Sequence, residues 1–177
     1  LREIGGERHP DVASALASLG LLRIRAGEFS AAVPYLQQSL DIRRELFGDE
    51  HPLVAQSLNN LAIAQFQLGE LTAAADCYAE AIRIYTKVWG PEHPALATLK
   101  GNLAAILRTQ GRAAEAVPLL RESLAVRIAT LRPGHPEIAN AQHNLGRTLA
   151  DIGELDEAET LLRASLGARQ ATHPGDD

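Results

Sequence analysis

Methionine is absent from this 177-residue chain, cysteine and tryptophan occur once each, and aromatic residues make up only 4%. A single cysteine cannot build a disulfide framework, and it suits a reducing, cytoplasmic setting. So few aromatic side chains cannot furnish a base-stacking platform. Basic residues are in the minority and the net charge is -5, which argues against nucleic acid as a partner. No apolar run approaches the ~20 residues that cross a bilayer, so no membrane partner is expected. No basic-then-apolar leader precedes the first regular element. The composition is otherwise that of an ordinary globular chain, 46% hydrophobic and 22% charged, with enough apolar content to bury a core.

The chain is dominated by a repeat. His-Pro recurs at His9-Pro10, His51-Pro52, His93-Pro94 and His135-Pro136, each 42 residues after the last, and again 38 residues later at His173-Pro174. The period carries further columns: Leu19, Leu61, Leu103 and Leu145; the small residues Gly20, Ala62, Ala104 and Gly146; Gly27, Gly69, Gly111 and Gly153; Ala32, Ala74, Ala116 and Ala158. Self-similarity at this period marks a stack of supersecondary units. The expected division is residues 1–8 as the tail of a preceding repeat, then repeats 9–50, 51–92, 93–134 and 135–172, and 173–177 as a link or tail. With Leu1 at the start and no Met, the chain reads as a piece of a longer protein.

Each repeat reads as two helices. Pro of His-Pro sits near the first helical position, where its missing N–H costs little. Val54, Leu58, Leu61 and Gln65 form a helical stripe that fades at its end. The glycine column stops that helix through positive φ. Ser30, Thr72 and Asp156 are expected to cap the second helices, Asp156 and Glu159 as a capping box, while Ala114 leaves its helix prone to fray. Pro34 and Pro118 should fall near the first turn. Ala32 and Ser39 beside Leu36, and Ala74 and Ala81 beside Tyr78, supply the small and large residues of interlocking helices. No period-2 alternation predicts a strand.

These columns resemble the tetratricopeptide repeat, as in Leu58, Leu61-Ala62, Gln65, Gly69, Ala74, Tyr78 and Ala81. The 42-residue period, the long second helix and the His-Pro restart resemble the repeats of kinesin light chains and their prokaryotic relatives. The resemblance implies an all-α, right-handed α-solenoid of stacked antiparallel helix pairs, with first helices lining a concave groove that holds peptides. It departs from the family at Lys100 and Gln142, where packing residues are usual; shifted helices or snorkelling stems would accommodate them.

Carried over column by column, the concave positions are Ser14, Ala17, Ser18, Leu21, Ile24 and Arg25 in the first repeat. They are Gln56, Asn59, Asn60, Ile63, Phe66 and Gln67 in the second. The third contributes Thr98, Gly101, Asn102, Ala105, Arg108 and Thr109, and the fourth Asn140, His143, Asn144, Arg147, Ala150 and Asp151. The column Ser18, Asn60, Asn102, Asn144 could clamp a ligand backbone, since an amide both donates and accepts; it could equally satisfy groups between repeats. Arg25, Arg108 and Arg147 against Asp151 leave this set at +2, and an acidic peptide or C-terminal carboxylate held by Arg108 and Arg147 follows. Solvation, or pairing with carboxylates, is the competing reading of those arginines.

The remaining features have structural readings. The His-Pro histidines recur along an edge instead of converging, so no metal is expected and hydrogen bonds orienting the link are. Phe47, Trp89 and Leu131 are expected to plug the links, and Cys77 to pack. No nucleophile motif, phosphate-cradling loop or paired carboxylates stand out, so neither catalysis nor a cofactor is expected. Two functions remain: a scaffold or adaptor that binds a protein or peptide, and a spacer, self-associating or regulatory arm of a larger signalling protein.

Overall fold

A computed structural model describes residues 8–172, so the expectations for residues 1–7 and for 173–177, His173-Pro174 included, lie outside it. Eight α-helices occupy the described residues, with no strand among them. The chain divides into two compact units. The first contains α1 (Pro10–Arg25), α2 (Phe29–Phe47), α3 (Pro52–Gln67) and α4 (Leu71–Trp89). The second contains α5 (Pro94–Thr109), α6 (Ala113–Thr130), α7 (Pro136–Asp151) and α8 (Leu155–Thr172). Within each unit consecutive helices pack as antiparallel hairpins, and the second helix of one hairpin packs on the first helix of the next.

The His-Pro step is a helix start. His9, His51, His93 and His135 are extended N-cap residues whose Nδ1 accepts the amide of Asp11, Leu53, Ala95 and Glu137, at 3.2 Å in each case. Proline takes the next position, where no N–H is needed. Gly27, Gly69, Gly111 and Gly153 then end the odd-numbered helices with φ of 75°, 79°, 76° and 85°, the left-handed conformation that favours glycine.

The even-numbered helices depart from the expected caps. They start at Phe29, Leu71, Ala113 and Leu155, so Ser30, Thr72 and Asp156 lie inside the first turn and the Asp156–Glu159 capping box is not the helix start. Glu28, Glu70 and Arg112 are the N-caps of α2, α4 and α6, without a side-chain cap bond. The glycine turn is so tight that the next helix begins two residues after it. α6 starts in the same column as the others, so Ala114 confers no late start. Arg112 instead grips Glu115 with Nε and Nη2, both at 2.7 Å. Pro34 and Pro118 are sixth in their helices, one turn deeper than expected.

Packing follows the columns. Ala32, Ala74, Ala116 and Ala158 are buried. Gly20 is required by its neighbour: a Cβ there would lie 2.5 Å from Leu36 Cδ2. Gly146 stands against Leu162 in the same way, at 2.9 Å from Cγ. Ser39, Ser123 and Ser165 add a tie between the helices of a hairpin, donating to the carbonyls of Ala13, Ala97 and Ala139 at 2.7, 2.7 and 2.8 Å. In the second unit Leu107, Leu120, Leu124, Leu145 and Leu149 share one core. Lys100 does not snorkel to solvent: its side chain is only 7% exposed, and its departure is resolved by pairing Nζ with the exposed carboxylate of Glu122 at 2.5 Å.

One apolar column is not uniform in burial, and one expectation about apolar residues fails. Leu61 and Leu145 are buried but Leu19 is 44% exposed, because no described helix precedes α1. Phe47 and Trp89 are exposed rather than plugs. Phe47 stacks on the His51 ring at 4.6 Å and Trp89 on Tyr85 at 4.4 Å. Among the described residues, no helix is long and apolar enough to cross a membrane.

Candidate binding face

In the second unit, Ala141, Leu145, Thr148 and Leu149 turn one side of α7 into the core. Asn140, Asn144, Arg147 and Asp151, spaced i, i+4, i+7 and i+11, are exposed along another side. On α5, Thr98 and Thr109 are exposed, while Asn102 and Arg108 are half-buried. Arg108 is already engaged: its Nε donates to Asp151 Oδ2 at 2.7 Å. The expected two-arginine carboxylate clamp therefore loses one member to an internal pair. Thr109 folds its hydroxyl back onto Ala105 O at 2.9 Å.

His143 is half-buried on α7. Burial lowers its imidazole pKa, and Arg169, Arg147 and Arg108 push it further down. Arg169, on α8, reaches α7 and donates Nη2 to Asn140 Oδ1 at 3.0 Å. Cations from three helices thus gather about one stretch of α7.

The first unit is different. On α3, Gln56 and Gln67 are exposed, and Asn59, Ile63 and Phe66 are half-buried. Asn60 is buried, and its Oδ1 accepts from Asn59 Nδ2 at 3.3 Å. On α1, Ser14 and Ser18 turn their hydroxyls to Pro10 O and Ser14 O of their own helix, at 2.9 and 3.0 Å, and Ala17 is buried. The column Ser18, Asn60, Asn102, Asn144 therefore spans self-bonded, buried, half-buried and exposed environments, and is no uniform clamp.

Sequence reasoning passed over one column, Arg43, Arg127 and Arg169 with Tyr85 in place of arginine, because a cation on a second helix normally reads as solvated. Arg43 is buried, and its Nη1 donates to Leu53 O, Gln56 Oε1 and Ser57 Oγ at 3.1, 3.1 and 2.9 Å. Burial lowers its guanidinium pKa. Arg43 and Arg127 thus reach across to the following first helix and Arg169 back to the preceding one, and the recurrence of Arg in the column was the available signal. Cys77 is partly buried, and burial, the largest cause, pushes its thiol up to about 11, as expected of a packing residue. Among the described residues, no group of three or more His, Cys, Asp or Glu is placed to hold a metal ion.

Helical hairpins stacked through repeating columns, each unit leaving polar stripes on its first helices, define a repeat scaffold of the protein-interaction class. The profile of the tetratricopeptide repeat matches residues 1–45, 11–87 and 90–171, and the chain belongs to the tetratricopeptide repeat family. It is similar to a solved Podosopora anserina protein described as a kinesin light chain with nearly identical TPR-like repeats, at 28% identity and TM-score 0.79, over 99% of this chain and 81% of that one. It is also similar to BtubC (BKLC) from P. vanneervenii, at 24% identity and TM-score 0.86, over 100% and 69%. MamA, at 19% identity and TM-score 0.70 over 92% and 81%, shares the fold. No curated protein matches the chain. The fold class is all-α, the right-handed solenoid of kinesin-light-chain-type tetratricopeptide repeats.

Proposed function

We propose that this chain is a non-catalytic scaffold that holds an extended peptide or a partner's segment against the polar stripes of its first helices, with an acidic segment preferred on the second unit. The observation that carries this reading is the exposed row Asn140, Asn144 and Arg147 on α7, backed by a packed core. Side chains mounted on packed helices are already ordered, so less entropy is lost when a ligand arrives. Arg147 supports the acidic preference, standing near Arg169 and Arg108 around His143. A cytoplasmic setting belongs to this reading, since a single cysteine builds no internal disulfide.

A panel of labelled acidic, neutral and basic peptides tests this by fluorescence anisotropy. Acidic peptides should bind with micromolar affinity, about -8 kcal/mol. Arg147→Glu should weaken them tenfold or more and leave neutral peptides within a factor of two. Binding of acidic and basic peptides with equal affinity, or failure of every peptide, would remove the reading.

A second reading, a self-associating spacer or regulatory arm, draws on different residues. Leu22, Leu155 and Leu166 are 60%, 64% and 56% exposed. An apolar cleft also runs along α8 between Leu155, Leu162 and Leu166.

A further inference from the structure

A cleft of about 90 Å³ opens in the second unit between α5, α6 and α7, lined by Gly101, Ser123, Arg127, Glu137, Asn140 and Asn144 among others. Gly101, which has no side chain, forms part of its wall. The equivalent residues are Ala17, Asn59 and His143. Unlike Gly20 and Gly146, Gly101 is not forced by packing: an added Cβ would meet nothing closer than Ser123 Oγ, at 3.8 Å. Glycine inside a helix is destabilising relative to alanine, and here no neighbour requires it.

Arg127 forms one wall. Its side chain is only 14% exposed, its Nη1 donates to Ser123 Oγ at 2.5 Å, and its Nε lies 3.4 Å from Glu137 Oε2. Its column-mate Arg43 is more fully bonded at the same atom, its Nη1 donating to Leu53 O, Gln56 Oε1 and Ser57 Oγ. In the second unit Ala141 replaces that serine. Asn140 replaces the glutamine, with its oxygen already taken by Arg169. Two acceptors are gone and Nη2 of Arg127 makes no bond among the described residues, while the Nδ2 groups of Asn140 and Asn144 add donors at the rim. Glu137, exposed and short of hydrogen-bond distance, shows that a carboxylate can approach this guanidinium.

We infer that the cleft beside Gly101 is a carboxylate-binding subsite in which Arg127, assisted by Asn140 and Asn144, receives an acidic side chain or a chain terminus of a bound peptide. A carboxylate matches the guanidinium's paired donors, and Glu137 swings out as it enters. Arg169, Arg147 and Arg108, which add to burial in lowering the His143 pKa, favour the same charge. The subsite rests on the peptide-binding reading and moves its anchor from Arg108 and Arg147 to a residue on a second helix.

The test is an NMR titration of the 177-residue chain, following the Arg127 Nε–H signal, assigned by its loss in Arg127→Lys. N-acetylglutamate amide supplies a side-chain carboxylate, N-acetylglycine a terminal one, and N-acetylglutamine amide the neutral control. At least one carboxylate should shift the Arg127 signal saturably while the neutral probe leaves it in place, and the pair identifies which source the cleft prefers. Glu137→Gln should tighten that carboxylate threefold or more by removing the competitor. Gly101→Ala, which fits without a clash, should weaken it at least threefold in a folded chain. The subsite is overturned if Arg127 responds no more than exposed Arg163, or if both variants bind like the parent. Peptides that shift the amides of Asn144 and Arg147 but leave Arg127 unmoved would overturn the subsite and keep the peptide-binding face. Small carboxylates that move Arg127 while no peptide binds would keep the subsite and remove that face.

Discussion

Gly20 and Gly101 are both glycines of first helices, and their surroundings give them opposite meanings. At Gly20 a methyl would lie 2.5 Å from Leu36 Cδ2 and 2.6 Å from its Cγ, so the buried Leu36 side chain would have to shift. Gly20→Ala should therefore destabilise by about 1–3 kcal/mol through overpacking. Gly101→Ala meets no such neighbour and should stabilise by up to about 1 kcal/mol through helix propensity. Denaturant unfolding of the two variants checks the sign, and equal effects would refute the contrast. Gly20 was legible as a small residue in a repeating column. Gly101 was placed on the concave side by family resemblance, but the space above it depends on Ser123 and Arg127, more than twenty residues away in sequence. The histidines were legible in part: hydrogen bonding at the link was expected, and the N-cap role of Nδ1 came from the structure.

Helix identity and pairing were readable because period and hydrophobic spacing are local properties. Helix starts were less so. Ser30, Thr72 and Asp156 are good capping residues in isolation, but the glycine turn commits the chain to helix at Phe29, Leu71 and Leu155 before they are reached. The serine tie is an element-scale device that the sequence showed only as a small residue. Ser39→Ala removes the donor to Ala13 O between α1 and α2. It should cost about 1 kcal/mol, and Ser165→Ala about the same between α7 and α8. Thermal unfolding of both variants measures this, and the tie is unimportant if neither lowers Tm. The column's fourth member is Ala81, which is buried and has no hydroxyl to donate.

Across the whole molecule the net charge is -5, yet Arg108, Arg127, Arg147 and Arg169 all belong to the second unit. The candidate positions on α3 carry no formal charge. An acidic ligand is thus distinguished by which unit it meets, not by the overall charge. Exposed leucines on α1 and α8 bear on the other function. If self-association is the role, light scattering should show a mass that rises with concentration, and Leu22→Lys with Leu166→Glu should return the chain to monomer. A concentration-independent monomer that binds acidic peptides would favour the scaffold.

By itself, the sequence determined the period, the helical class, the residues that end each first helix and the family, because each depends on neighbours within a turn or on spacing along the chain. Only the tertiary structure decided which polar residues are available. Asn60 is buried, Arg108 is paired with Asp151, and Arg127, ion-paired with Glu137, keeps Nη2 unbonded among the described residues beside an open cleft. Members of one column share a place in the repeat but face different neighbours, and a polar group is available to a ligand only where those neighbours leave its hydrogen bonds unfilled.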